Sequence, residues 1–473
     1  MPKVVLPIAN GFYESDSLPI SAQECVNFYP NIAQAPALNQ ETLYGTAGLE
    51  EVANADTLTG NRGSHEMNGV PYFVMENRLF SMATDLSLTF HGEIAGTGRV
   101  SMADNGTQLM VLVPDGNGYI YNHVADTFGQ ITDTDFTANG NPQLVVFIDG
   151  YFCLTTDTKK FIVSSLNDGF NYNALDFGTA ESDPDDIVAP VVFKNQLFIG
   201  GSQTIEAFQN IGGADFPFQR TGLFLQKGIV SPFSIQTLQD TFVFIGAGQN
   251  ESPAIWVLQG NDVAKISTTA IDKELSALTQ AQVSSIYSWG YAEKGAYFVG
   301  FSLPSSTLVY DIITKRWHER KSVVDNTLGG YRVTSMVRAY NKIWAGDLID
   351  GRIGRLDSDV YTEYGTTIQR SIVTQPFQSN MDSFVVPEIE MTVESGVGNA
   401  AATDPQIGLS RSKDAKTWSD TRYRSMGKIG EHSHRAIWRR NGRASRFELF
   451  RFTMSDPVKP VLIQLTAEIE SAQ

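Results

Sequence analysis

Only two cysteines, Cys25 and Cys153, occur in the 473 residues. That number excludes a disulfide framework and a cysteine-based zinc site, which needs more ligands at closer spacing. Cys153 stands in the apolar run Tyr151-Phe152-Cys153-Leu154 and is expected to be a small buried hydrophobe. No run of about 18 apolar residues is present, so no membrane insertion by a helix of this chain is expected. The segment Val4-Val5-Leu6-Pro7-Ile8 is too short and too Pro-broken for a signal peptide, which points to a reducing cytosol or to incorporation into an assembly. Long amphipathic helical patterns are almost missing. The one candidate runs from Asp272, placed as its N-cap, to about Ser285.

Charge of positive sign is also scarce. The net charge is −17, and residues 1–60 hold a single base, Lys3, against seven acids. Residues 411–451 reverse this, with twelve bases against four acids. An acidic excess favours solubility, and it would equally form a wall that repels polyanions.

What recurs instead is a short pattern: an apolar run, a turn residue, then a second apolar run. Its turn positions are Asn77, Asn105, Asp149, Asn195, Asp240, Lys294 and Asn341, giving spacings of 28, 44, 46, 45, 54 and 47. Strand-built units of roughly 40–50 residues are what radial propeller blades require. The expected fold is therefore all-β, a β-propeller over 61–365. Seven blades match the seven turns. The short spacing before Asn105 would allow six, and an insertion at 250–285 would allow eight. Residues 1–60 read as an irregular segment with one strand near Cys25 to Pro30, closing the propeller by pairing with its last blade. Asp168 to Asp186, with the acids Glu181, Asp183, Asp185 and Asp186, reads as a long surface loop, as does Asn210 to Thr221. After residue 366 the period is lost. Ile389, Met391 and Val393 alternate with Glu388, Glu390 and Glu394, and Val461, Ile463, Leu465, Ala467 and Ile469 repeat that alternation. Residues 366–473 thus read as a β-sandwich of six or seven strands.

No catalytic, cofactor-binding or metal-ligating set can be assembled. The histidines (His65, His91, His123, His318, His432 and His434) lack a metalloprotease arrangement. His432 and His434 lie in the arginine-rich segment, where a cation would be repelled, and read as a solvated loop. The acids Asp133, Asp135, Asp183, Asp185 and Asp186 lack the loop glycine and distal glutamate of an EF-hand and read as surface turns. No nucleophile elbow and no phosphate-binding glycine loop is present. Ser412 to Trp418 resembles the Asp-box turn of sialidase propellers, with Asp414 accepting backbone N–H bonds and Trp418 packing over the turn. It occurs once, outside the repeats.

The basic segment carries the strongest local signal. Arg422, Arg424, Lys428, Arg435, Arg439, Arg440, Arg443 and Arg446 interleave with Tyr423, Trp438 and Phe447. Strand alternation puts Ile437 and Arg439 on one face, Trp438 and Arg440 on the other. Arginine with aromatics fits a protein interface rich in hot-spot residues, a nucleic-acid contact or a solvated strand face. The expected partner-binding set is Arg422, Arg424, Arg435, Trp438, Arg439, Arg440, Arg443 and Arg446, directed at an acidic protein.

Residues 21–30 (SAQECVNFYP), 96–103 (GTGRVSMA), 201–208 (GSQTIEAF), 223–229 (LFLQKGI), 308–311 (LVYD) and 437–443 (IWRRNGR) resemble the packaged-DNA stabilisation proteins of short-tailed phages, their tail hub or tail accessory factors. That resemblance implies a structural virion protein, assembled in the host cytoplasm, without catalytic residues or cofactors. It implies a homo-hexameric ring beneath the portal-adaptor ring, which extends the DNA channel and helps retain packaged genome. The ring would also support tailspikes or fibres and a needle or plug, with double-stranded DNA passing through its lumen unbound during ejection. Residues 10–20 and 392–405 depart from the family pattern. A glycan-binding or sialidase-like propeller is the alternative from another class. A general WD40-like scaffold lacks its Gly-His and Trp-Asp signatures here.

Overall fold

The computed structural model describes residues 3–471 apart from 115, 181–184, 214–215 and 239. Glu181 and Asp183 of the expected acidic loop, and Gln239 of one repeat, lie outside the described residues.

Among the described residues, seven antiparallel sheets follow one another, over 61–93, 101–130, 142–179, 187–225, 228–265, 287–319 and 333–357. Successive sheets touch in chain order, and the innermost strand of the seventh (Val333–Ala339) lies beside that of the first (Asn61–Met67), so the ring closes. The physical cause is local. In five sheets the innermost and second strands are joined by two residues that both have positive φ: Asn68-Gly69, Asp149-Gly150, Lys194-Asn195, Lys294-Gly295 and Tyr340-Asn341. Such turns carry the twist of the strands they connect, and Asn, Asp and Gly tolerate the left-handed region best. At Asn105 the side chain does the work, its Oδ1 accepting Thr107 N and Gln108 N at 2.9 and 2.7 Å.

These turns explain the anomalous spacing. Asn77 sits between the second and third strands of its sheet, Val70–Met75 and Arg78–Met82. The equivalent first turn is Asn68-Gly69, 37 residues before Asn105. The 250–285 insertion holds no further sheet among the described residues; it holds helices. The single helix capped by Asp272 is corrected to two, Thr269–Ser276 and Gln280–Ser284. Thr279 starts the second through a capping box with Gln282, which no continuous helix could accommodate. Asp272 falls in the first turn of the first helix, where it receives Ser267 Oγ at 2.6 Å and pairs with Lys265. The expected loop from Asp168 is also corrected: Asp168–Thr179 is the outermost strand of the third sheet. Its glycine marks close packing, since a Cβ at Gly169 would sit 2.7 Å from Ile120 Cδ1.

The N-terminal segment serves two bodies. Gly48–Asn54 forms the fourth strand of the seventh sheet, antiparallel to Arg352–Asp357 and flanked on its other side by the short strand Thr362–Glu363. Earlier strands belong elsewhere. Lys3–Leu6 and Glu41–Gly45 both pair with Val461–Glu468, and Phe28–Ile32 pairs with Glu41–Gly45. Leu6, Phe28 and Leu43 share one core with Ile389, Met391, Trp438, Phe452 and Leu465. A boundary at residue 60 therefore does not separate the leader from the C-terminal sandwich. The second sheet of that sandwich contains Arg370–Val373, Phe447–Met454, Gln406–Ser412 and Arg422–Ser425. Cys25–Val26 joins it to strand Arg316–Glu319 of the sixth ring sheet.

Sandwich alternation holds for Ile389, Met391 and Val393 but slips near the end. A register shift between Thr392 and Val393 opposes Val393 to Leu462, so Leu462 enters the core in place of Ile463. One extra residue in a strand turns every later side chain to the other face.

Polar side chains stitch the two bodies. Asn27 is fully buried with φ +54 and donates to Lys321 O and Gln369 O, each at 2.8 Å. Arg320, also fully buried, donates to Ala47 O at 3.0 Å and lies 4.1 Å from the Tyr331 ring centre. Arg332 and Asp347 form a buried pair at 2.5 Å. Beside them His318 has neither ring nitrogen hydrogen-bonded; burial, then Arg320, pushes its pKa down to about 3. Both cysteines are buried and unpaired, and burial raises both thiols.

Candidate partner-binding surface

The arginine-rich segment meets the edge of the sandwich, and its members divide by what their side chains touch. Trp438 is completely buried and donates Nε1–H to Arg422 O at 2.6 Å; its ring meets Phe452 edge-on at 5.6 Å. It is a core residue, and its place among the partner-binding residues is corrected. The alternation that paired it with Arg440 ends early. The strand spans Ala436–Arg439, and Arg440 leaves it with φ +58, its N–H donating to Pro387 O at 2.9 Å.

Arg422–Ser425 is an edge strand of one sheet and Ala436–Arg439 an edge strand of the other. Arg422 Nη1 donates to Arg439 O at 3.1 Å, and Arg424 Nε donates to Ile437 O at 2.9 Å. Two carbonyls that would template another strand are thereby covered by guanidinium groups. Arg435 and Arg439 are answered from within. Glu390 receives both Nε and Nη2 of Arg435 at 2.6 Å, and Glu388 receives Arg439 Nε at 3.0 Å. Lys3 of the leader bridges the same two carboxylates at 3.0 and 2.8 Å. Arg435, and after it Lys3, hold the Glu390 carboxyl down at about 2 against the opposing effect of burial. Arg411 pairs with the buried Glu448 at 2.7 Å, and Arg451 with Glu24 at 3.3 Å while stacking on Trp418 at 3.9 Å.

Arg440, Arg443 and Arg446 remain. All three are exposed and make no ion pair or side-chain hydrogen bond among the described residues. They stand within one seven-residue stretch that includes the short strand Arg443–Ala444. Arg422 and Arg424 meet carbonyls without an acid, and these three guanidiniums meet neither among the described residues. The compensation of Arg435 and Arg439 escapes sequence reasoning because the pairing of Glu388 with Arg439 and Glu390 with Ile437 spans about fifty residues. The outward alternation of those glutamates was its only visible trace.

The remaining chemical candidates resolve into structure. Asp414 accepts Lys416 N and Thr417 N at 2.8 Å and Thr417 Oγ1 at 2.7 Å; these bonds, that from the Thr417 backbone foremost, hold its carboxyl well below the usual range. Trp418 packs against the small core of Ala22, Val373, Ala415 and Leu449. His432 Nδ1 contacts Ser395 O at 3.2 Å, and His434 Nδ1 contacts Glu431 at 3.1 Å. Asp133 and Asp135 bind the backbone of the strand beside them, at Tyr172 N and Ala174 N, 2.8 and 3.1 Å. Asp185 is buried and accepts Gln203 N at 2.7 Å. Among the described residues no group of three or more such side chains could hold a metal ion.

Fold and surface together define a class: a β-propeller scaffold carrying a β-sandwich that shares its leader. Models of two protein families match this chain. One, described as bacteriophage P22 Gp10, beta-propeller, covers residues 4–361, and the other, bacteriophage P22 Gp10, beta-sandwich, covers 369–470. The chain belongs to the P22 Gp10 family, the packaged-DNA stabilisation proteins of short-tailed phages. It is 25% identical over 378 residues to the tail hub protein gp10 of Salmonella phage P22, spanning 76% of this chain and 78% of that protein. Among solved structures, the WD40 propeller domain of Doa1 superimposes with a TM-score of 0.40 at 13% identity, over 65% of this chain and 96% of that one. YCF48 from Cyanidioschyzon merolae gives 0.41 at 11% identity, over 66% and 99%.

Proposed function

We propose that this chain is a structural component of a phage tail, a hub built as a ring of six copies, each carrying seven blades. In this reading it joins the portal-adaptor ring above to spikes or fibres and a needle or plug below. It helps retain the packaged genome and performs no turnover. Family membership over nearly the whole chain is the observation that carries the reading.

Charge and shape support the details. Each phosphate neutralised by Lys or Arg adds salt-dependent affinity, so a chain with net charge −17 presents DNA with little to adhere to. The DNA path runs between copies, because the axis of each propeller is obstructed. Arg99 reaches from the connection after the first sheet to Thr334 O at 3.2 Å in the seventh, and stacks on Tyr287 of the sixth at 4.2 Å. Docking to the adaptor falls to Arg440, Arg443 and Arg446, whose charge would meet an acidic surface there. Head-to-tail contacts close into six only if each copy is rotated by about 60°.

The test is the mass of the purified chain alone and with the portal-adaptor complex of its phage. A ring of six and its co-assembly are expected. A monomer that ignores the complex and hydrolyses sialosides would replace this reading with the glycosidase one.

A further inference from the structure

The ring axis contains a cavity of about 650 Å³, bordered by the innermost strands of the first six sheets. Val145, Phe147 and Phe233 give it apolar wall, and Arg99 lies among its lining. The wall also bears the carboxylate of Asp104, already committed to His65 at 2.7 Å and to Gly106 N at 2.8 Å. Arg99 has no ion pair among the described residues. Its Nη2 has the Thr334 carbonyl, its Nε is buried without a partner, and its guanidinium faces the rings of Tyr287 and Phe233 at 4.2 and 5.5 Å. Burial, partly opposed by Tyr287, pushes its pKa down to about 10.

Arg99 is half-buried with its Nε withdrawn from water; such withdrawal costs free energy unless a partner answers it, and arginine answers carboxylates best. Arg332 has such an answer in Asp347, whereas the buried Arg62 is met by the carbonyls of Gly98, Glu76 and Ile94 and the buried Arg370 has no ion pair among the described residues. Beside Arg99 lies a cavity of the size that holds small-molecule ligands, its wall shared between apolar side chains and polar ones such as Ser64, Ser101, Gln236 and Thr237. We propose that the axial cavity binds a small organic carboxylate, with Arg99 receiving the charge and the apolar wall the body of the ligand.

The probes are 4-bromobenzoate, its neutral amide 4-bromobenzamide, and inorganic phosphate, titrated calorimetrically into the full chain. The acid should bind at least tenfold more tightly than the amide and than phosphate, and its bromine should appear on the ring axis by anomalous scattering. Arg99→Gln should abolish the preference for the acid, and Arg99→Lys should retain part of it. Should Arg99→Gln fail to fold, the acid–amide ratio of the unaltered chain still decides. Equal affinities for acid and amide, phosphate binding as tightly as the acid, no binding at millimolar concentration, or bromine off the axis would each overturn the proposal.

Discussion

In the ring, each of the first six sheets comes from one continuous stretch of chain, joined by turns of a few residues. The sandwich takes Lys3–Leu6 and Glu41–Gly45 from one end of the chain and sets them beside Val461–Glu468 from the other. The two regions also spend arginine differently. At the ring–sandwich junction Arg320 and Arg332 are buried against carbonyls, rings and acids. At the sandwich edge the guanidiniums are graded from covered (Arg422, Arg424) through paired (Arg435, Arg439) to free (Arg440, Arg443, Arg446). Local construction makes a region tolerant of change elsewhere in the chain. A sandwich closed by both termini depends on all of its parts, and its surface charge is spare only where no structural duty claims it.

The largest expected effect breaks the sandwich through its centre. Trp438→Ala should cost about 3–5 kcal/mol in thermal unfolding, the usual loss for a fully buried tryptophan; an unchanged melting temperature would return Trp438 to the surface. The junction should show itself in pH. His318 is neutral in the folded chain, with its pKa depressed to about 3, while the unfolded imidazole takes a proton near 6.5. Its contribution is therefore complete above that value and is lost as pH falls towards 3, at about 1.4 kcal/mol per pH unit. His318→Phe should flatten that part of the stability curve; an unaltered slope would place the titration elsewhere. The smallest effect belongs to the edge. Arg424→Ala removes the charge-assisted bonds to Ile437 O and Tyr423 O and should cost about 1 kcal/mol, with self-association rising as the uncovered strand finds partners. Sedimentation velocity would detect it, and a variant that stays dispersed would show that Arg424 covers nothing.

Legibility from sequence follows the same division. Ring repeats show because two-residue turns need Asn, Asp or Gly, and six of the seven turn positions fall between an innermost strand and its neighbour. The seventh, Asn77, was out of phase because Gly69 in Asn68-Gly69 follows a polar strand end, Ser64 to Glu66, which hides the apolar run. The fate of the leader was hidden for a stronger reason. Leu43 pairs with Leu462, and nothing at either position names the other. The arrangement of the arginine-rich segment was half legible: charge and aromatics marked the segment, but only cross-strand register assigns Arg435 and Arg439 to Glu390 and Glu388. Trp438 misled because an interface tryptophan and a core tryptophan have the same sequence signature, and burial alone separates them.

Co-sedimentation with the portal-adaptor complex, for the chain carrying Arg440→Glu, Arg443→Glu and Arg446→Glu together, tests most directly whether the free arginines dock the hub. The account predicts a folded protein of unchanged melting temperature whose co-sedimentation falls at least tenfold. Full co-sedimentation by that variant would contradict it.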